Sequence, residues 1–416
     1  MCARSQYALH LEVRLLECPP GTRLEHVEWR YPALDRWFVR LRRDPGGSHS
    51  RALQSRDRSG GPTSRVHQAA RRSSHPQDCP GAQGPSGGVN GVVDGTSARR
   101  IGIDVGGTNA LGVAISSDGR IVAEDRRPTP RGDDSLRCLL DVLVELSESL
   151  GYEGSLGVGV PGLVTRKGVL RAAPHLDGVA DFEVGRLIAE RLGSHVEIEN
   201  DATCAAIAEW KLGAAVGVDD MILITLGTGI GGGMVANGSV LRGSNGFAGE
   251  FGHMVVDPNG PRCPCGRQGC WERYASGSGL AMLARNAGFG VDNDGEARIG
   301  GADQNSVQGE HVQSAARQGD SAALVVIDEF CRWVALGLSN LTNAFDPEMF
   351  VLGGGLADGA DLYLEPITRW FRELLYQPHL RPLPRVEFAK WGPQAGAVGA
   401  ALLPSLSLTE RPSTGI

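Results

Sequence analysis

At 416 residues the chain has room for two domains or one large two-lobed domain, and its 41% hydrophobic content is that of a globular protein. Charge is unevenly spread: residues 1–100 carry 16 Arg, no Lys and 9 acidic residues, whereas the remainder has a net charge of −14. The acidic remainder argues against nucleic-acid binding as the main activity. No apolar run approaches the ~18 residues that span a membrane, and the N-terminus lacks a charged region followed by a long apolar one, so a cytoplasmic protein is expected.

Residues 1–98 show little periodicity. From Asp44 to Gly95 the chain is rich in Gly, Ser, Pro, Arg and Gln, a composition that cannot bury enough surface to offset its ordering entropy. A disordered basic extension over 1–98 is therefore expected. It reads as a DNA-binding arm, a solvated tail or upstream sequence outside the mature protein, with Val92 or Val93 as an alternative start.

Order is expected from Ala98. The segment RRIGIDVGGTNALGVAIS alternates as two strands around Asp104-Val105-Gly106-Gly107-Thr108-Asn109. Adjacent glycines let backbone N–H groups approach an anion, and Asp104 can face a bound Mg²⁺; alone, the same pattern is a common hairpin turn. Apolar positions at Leu136, Leu139, Leu140, Leu143, Leu146 and Leu150 predict a helix over 135–150. The run LGVGVPGLV predicts a buried strand ending at Pro161-Gly162. Asp181 is expected to cap a helix over 182–192, and strand 195–199 runs into Glu199-Asn200-Asp201-Ala202. That corner lies where a strand feeds a helix, the usual place of ligand crevices in α/β folds, although an Asp there can also act as a helix cap.

A buried strand over 221–226 leads into Gly227-Thr228-Gly229-Ile230-Gly231-Gly232-Gly233, with a second strand and a turn at Asn237-Gly238. This repeats the strand, glycine turn, strand unit at Asp104 and suggests a duplicated fold whose lobes face each other across a nucleotide. It is neither a Walker A loop nor a dinucleotide fingerprint. A further glycine turn, Gly353 to Gly355, follows another buried strand. Residues 288–308 read as a polar surface loop, 321–345 as a long helix apolar on one face, and 394–403 as a small-residue helix suited to close packing.

The densest chemistry lies in GEFGHMVVDPNGPRCPCGRQGCWE, residues 249–272. His253, Cys263, Cys265 and Cys270 form a Cys₃His set typical of structural zinc, with Pro and Gly between them where a chain loops tightly round an ion. Three cysteines cannot pair among themselves, and Cys263 and Cys265 are too close to pair comfortably. Glu250 and Glu272 flank the clip; fixed carboxylates discriminate the hydroxyl positions of sugar-like ligands, although each taken alone reads as a solvated charge.

DVGGTN, ENDA, LGTGIGGG, EFGH and C-x-C-G-x-x-G-C-x-E, in that order, make the chain from about Arg100 to Leu403 resemble the ROK (repressor, open reading frame, kinase) family, most closely its ATP-dependent bacterial glucokinases of actinobacterial type. The resemblance implies an α/β, two-lobed, actin-like or ribonuclease-H-like ATPase fold with an inter-lobe cleft. The lobes would be 99–201, completed by helix 393–404, and 202–392 with the zinc loop, followed by a flexible tail over 405–416. It implies phosphorylation of a hexose, glucose first, at its 6-hydroxyl by Mg²⁺-ATP, with Asp201 as general base. Asn200, Glu250, His253 and Glu272 would hold other hydroxyls, with His253 also a zinc ligand. Asp104, Gly106, Gly107 and Thr108 would face the transferred phosphate and Mg²⁺; Gly227, Thr228 and Gly229 the nucleotide phosphates; Gly353, Gly354 and Gly355 the adenosine. By analogy a homo-oligomer, dimer or tetramer, is expected. Pro174-His175-Leu176 departs from the family's sugar loop, which leaves N-acetylmannosamine or fructose as alternative substrates. A sugar-responsive repressor of the same family is the rival class, but residues 1–98 lack two periodic helices joined by a short turn.

Overall fold

A computed structural model describes residues 99–406 except 133, 174, 175, 177, 178 and 293–296. The expectations for 1–98, for the sugar-loop residues Pro174 and His175, and for the tail from 407 onward lie outside the described residues.

The first lobe is built on β1 (Arg100–Val105), β2 (Asn109–Ile115), β3 (Ile121–Pro128), β4 (Leu156–Val160) and β7 (Val196–Asn200), in the order β3-β2-β1-β4-β7. A short hairpin, β5 (Leu163–Val164) and β6 (Leu170–Ala172), follows β4. β1 pairs antiparallel with β2 and parallel with β4, which is itself parallel to β7. Period-two alternation sends Ala110 and Ala114 of β2 to one face, against Leu139, Leu143 and Leu146 of α1 (Ser135–Ser149) and Ile188 of α2 (Val184–Leu192). Leu111, Val113 and Ile115 go to the other face, against α3 (Asp201–Leu212) and α9 (Ala395–Leu402).

The second lobe repeats this plan. β8 (Met221–Leu226), β9 (Ile230–Ala236), β10 (Ser239–Val240), β13 (Met349–Gly353) and β14 (Arg385–Phe388) lie in the order β10-β9-β8-β13-β14, with the same mixture of antiparallel and parallel pairs. One face is covered by a large core drawn from α4 (Glu272–Ala275), α5 (Gly277–Asn286), α6 (Gly309–Arg317), α7 (Ser321–Phe345) and α8 (Ala360–Leu374). The duplication inferred from two glycine turns is thus visible as two sheets of equivalent topology.

Helix α3 is shared between the lobes. Its Cys204, Ile207 and Ala208 pack with the first sheet, while Ala205, Ala206 and Trp210 pack with Met221, Leu223 and Val351 of the second. Small residues make the crossing with α9 intimate: a Cβ on Gly399 would stand 1.7 Å from the Cys204 carbonyl oxygen. Any larger residue there would force the two helices apart.

Three local expectations are corrected. Asp181 does not cap α2: it has φ of 52° and pairs with Arg171, and the helix starts after Glu183. Asn200, not Asp201, caps α3, its Oδ1 accepting from the Thr203 N–H at 3.0 Å. Residues 288–308 are not simply a surface loop, since β11 (Phe289–Val291) and β12 (Ala297–Ile299) pair there and Phe289 and Val307 are fully buried. The polar composition concealed two core anchors.

Candidate active site

Parallel register places the first cluster of functional groups. Asp104 of β1 lies opposite Gly159 of β4, which lies opposite Glu199 of β7, so the strands end side by side and α3 begins two residues beyond Glu199. Asn200 is fixed at both ends of its amide: Oδ1 caps α3, and Nδ2 donates to the Gly162 carbonyl at 3.2 Å. Asp201 is the first residue of the helix, and its Oδ1 accepts from the Ala202 N–H at 2.8 Å.

Two carboxylates are crowded here in low dielectric. Desolvation, reinforced by Asp201, raises Asp104 to about 7. Desolvation also raises Asp201 to about 6, with Glu250 adding to the rise and the Ala202 N–H and Asn200 opposing it. Asp104 Oδ1 is buried with no hydrogen-bond partner among the described residues, an orphaned acceptor of the kind a cation satisfies. A Cβ on Gly396 at the start of α9 would stand 2.5 Å from Asp104 Oδ2, so that helix closes directly over the carboxylate.

The second lobe supplies the facing wall. The Gly227–Gly229 turn is closed by the Gly227 N–H donating to the Gly229 carbonyl at 3.0 Å, and Thr225 Oγ1 accepts from the Gly231 N–H at 3.0 Å. Glu272 Oε2 accepts from the Ile230 N–H at 3.0 Å, which ties that carboxylate to the turn. The approach leaves no room for a side chain: a Cβ on Gly229 would lie 2.4 Å from Glu272 Oε2. Glu250 sits exposed at the rim, where desolvation and Glu272 raise its pKa and His253 lowers it.

Two adjoining cavities result. The larger, about 360 Å³, is lined by Gly106, Gly107, Asn200, Asp201, Gly227, Gly229, Glu250, His253, Glu272 and Gly354. The smaller, about 210 Å³, is lined by Asp104, Asp201, Gly353, Gly354 and Gly396 among others. Asp201 and Gly354 line both. Thr108, Thr228 and Gly355 are exposed and line neither. Sequence reasoning missed Thr225, Gly396 and the Glu199–Arg242 ion pair. Thr225 lies within an apolar strand, Gly396 in a small-residue helix remote in sequence, and Arg242 is one of many arginines. Only Glu199, inside the ENDA corner, carried a signal.

The Cys₃His set converges. The ligand atoms of His253, Cys263, Cys265 and Cys270 all lie within 4.8 Å of one another, with His253 Nδ1 at 3.8 Å from Cys263 Sγ and Cys265 Sγ at 3.5 Å from Cys270 Sγ. Zinc–sulfur bonds of about 2.3 Å at tetrahedral angles require sulfur separations of about 3.8 Å, so the donor set and spacing fit that ion. Gly266 and Gly269 hold φ of 90° and 65°, and a Cβ on Gly269 would meet the Asp257 carbonyl oxygen at 1.5 Å. The loop is anchored by Trp271, fully buried, whose indole donates to the Trp333 carbonyl at 2.7 Å, and by the Tyr274 hydroxyl donating to Asp257 at 2.7 Å. His253 therefore joins a rigid clip to the cavity wall.

Comparison with known proteins identifies the family of the chain. Residues 100–405 match the ROK family. A glucokinase of Streptomyces coelicolor is 37% identical over 305 residues, spanning 72% of this chain and 96% of that protein. An N-acetyl-D-glucosamine kinase of Pectobacterium atrosepticum is 36% identical, spanning 73% and 97%. The crystal structure of a ROK family glucokinase from Streptomyces griseus in complex with glucose and AMPPNP superposes with a TM-score of 0.64 at 36% identity, covering 74% of this chain and 99% of that one. The duplicated sheets, the paired glycine turns, the Cys₃His clip and the extent of these matches together establish that the chain belongs to the ROK family.

Proposed function

We propose that this protein transfers the γ-phosphoryl group of Mg²⁺-ATP to the 6-hydroxyl of a hexose, with glucose as the preferred acceptor. The observation that carries the reading is the position of Asp201, a carboxylate shared by both cavities. Asn200, Glu250, His253 and Glu272 line the larger cavity together with the Gly106–Gly107 and Gly227–Gly229 turns, and Asp104, Gly353 and Gly396 line the smaller. The glucokinase relative and the glucose-bound structural relative support the choice of sugar.

Phosphoryl transfer asks the protein for alignment and charge neutralisation rather than covalent help. Asp201, raised to about 6, is still ionised at neutral pH. It accepts the proton of the 6-hydroxyl as the bond from that oxygen to the γ-phosphorus forms and the bond to the leaving ADP oxygen breaks. Asp104 would hold Mg²⁺, which neutralises phosphate charge when bound. The Gly106 and Gly227 N–H groups close the two turns on the Asn109 and Gly229 carbonyls at 3.0 Å each. Gly107 and Gly229 would present the cavity with backbone free of side-chain obstruction, Thr108 and Thr228 extend those turns, and Gly353 to Gly355 would sit on the adenosine side.

The four-ligand clip has no open position for chemistry, so its zinc would be structural, fixing His253 for the sugar. An intact Asp201 and intact glycine turns favour a kinase over a sugar-responsive repressor. The protein would work in the cytoplasm, as a homo-oligomer. Among the described residues no helix is long and apolar enough to cross a membrane.

The test is ADP release from Mg²⁺-ATP with glucose, mannose, fructose, N-acetylglucosamine and N-acetylmannosamine. Turnover led by glucose is expected; a clear preference for another sugar overturns the glucose assignment.

A further inference from the structure

Glu199 and Arg242 form an ion pair at 2.5 Å with side chains 1% and 4% exposed. Neither lines either cavity, so neither is a candidate ligand for sugar or nucleotide. Yet both carboxylate oxygens of Glu199 are engaged in a connection between the lobes. Oε1 accepts from the backbone N–H of Asn200 at 2.8 Å, at the corner that carries Asp201. Oε2 faces the Arg242 guanidinium, which belongs to the loop leaving β10 of the other lobe.

That loop ends at the sugar-facing residues. The Arg242 carbonyl accepts from the Ala248 N–H at 3.2 Å, closing the loop two residues before Glu250. Its outer part is held to the β5–β6 hairpin by Arg166, whose Nη1 donates to the Gly243 carbonyl at 2.6 Å and whose N–H donates to the Asn245 carbonyl at 3.2 Å. The loop therefore grows out of the second sheet but is fastened to the first lobe. Its deepest fastening is the buried ion pair.

We infer that Glu199 and Arg242 are positioning residues for acceptor recognition: the pair fixes Glu250 and His253 relative to Asn200 and Asp201, and acts on the hexose side rather than on ATP. The inference rests on the sugar-kinase reading. A buried guanidinium without its counter-ion seeks water or another partner, and the loop that carries Arg242 shifts with it. Displacing Glu250 and His253 weakens sugar binding, whereas Asp104 and the glycine turns on the phosphate side keep their own supports.

The experiment compares wild type, Glu199→Gln, Arg242→Gln, the Glu199→Gln/Arg242→Gln double variant and Arg242→Lys. Steady-state kinetics with glucose and Mg²⁺-ATP are combined with hydrogen exchange of peptides spanning 242–253. Each single variant is expected to raise KM for glucose by about tenfold or more while KM for ATP stays within about twofold. Exchange over 242–253 should accelerate. The double variant, which restores a neutral amide pair, should fall short of the product of the two single effects. Arg242→Lys should recover most of the glucose affinity. If Glu199→Gln fails to fold, the double variant and Arg242→Lys carry the comparison. Unchanged glucose KM and unchanged exchange, or parallel losses for glucose and ATP with a general fall in Tm, overturn the inference. Absence of turnover by wild type would count against the kinase reading instead, and the exchange data would still decide whether the pair fixes the loop.

Discussion

Replacing Asp201 by Asn separates catalysis from stability in a way that follows from its burial. The carboxyl is raised from 3.8 to about 6, chiefly by desolvation. A raised carboxyl pKa means that the native state holds the proton more tightly than the unfolded chain does. Its contribution is therefore favourable below about pH 4 and is lost as pH rises through about 6. At pH 8 the ionised side chain costs about 3 kcal/mol, and at pH 4.5 only about 1 kcal/mol, from 1.36 kcal/mol per unit. Asn is nearly isosteric, uncharged, and its Oδ1 can still accept from the Ala202 N–H. The ligand-free Asp201→Asn protein should thus be more stable than wild type by about 3 kcal/mol at most at pH 8, and by only about 1 kcal/mol at pH 4.5. Denaturant unfolding at the two pH values reads the difference directly. The same variant should bind glucose and lose about 10²–10⁴ in kcat, the usual contribution of a general base. A variant less stable than wild type at pH 8, or a gain independent of pH, would refute the burial argument; undiminished turnover would refute the base assignment.

Three further outcomes are expected. For wild type, kcat/KM for glucose should fall about tenfold per unit below about pH 6, as Asp201 takes up a proton; a flat profile down to pH 5 would place the base elsewhere. Cys265→Ser should release the metal measured by atomic absorption, lower Tm, and raise KM for glucose through His253, whose Nδ1 lies 3.8 Å from Cys263 Sγ; full activity in metal-free protein would contradict a structural zinc. Gly396→Ala should reduce kcat by roughly tenfold or more, since its methyl group would meet Asp104 Oδ2 at 2.5 Å, while KM for glucose changes little. An unaltered kcat would mean that Asp104 does not need its present position.

Much of the site was legible because its chemistry is local in sequence. Asn200 and Asp201 are neighbours at one strand end, the two glycine turns follow apolar strands, and the four side chains that could hold a metal all fall within His253 to Cys270. Helices with sustained periodicity were legible too: α7 spans Ser321–Phe345 as expected. Elements set by tertiary contact were not. Nothing local distinguishes Gly396 from its neighbours in an Ala/Gly helix; its importance comes from a carboxylate almost 300 positions earlier. Phe289 and Val307 are lone apolar residues in polar surroundings, anchored by the core built around α7. Asp181 had the chemistry of a helix cap, but its own φ of 52° and its pairing with Arg171 take it out of that role. Thr108, Thr228 and Gly355 were carried by their motifs, whereas the cavities are lined by their neighbours.

The most direct test of the central claim is to identify the product by ³¹P and ¹³C NMR after incubating the protein with glucose and Mg²⁺-ATP. The account requires a phosphate monoester on carbon 6, formed in equal amount with ADP and absent in the Asp201→Asn protein. A different phosphorylated position, release of inorganic phosphate in place of a sugar ester, or no consumption of ATP would contradict it.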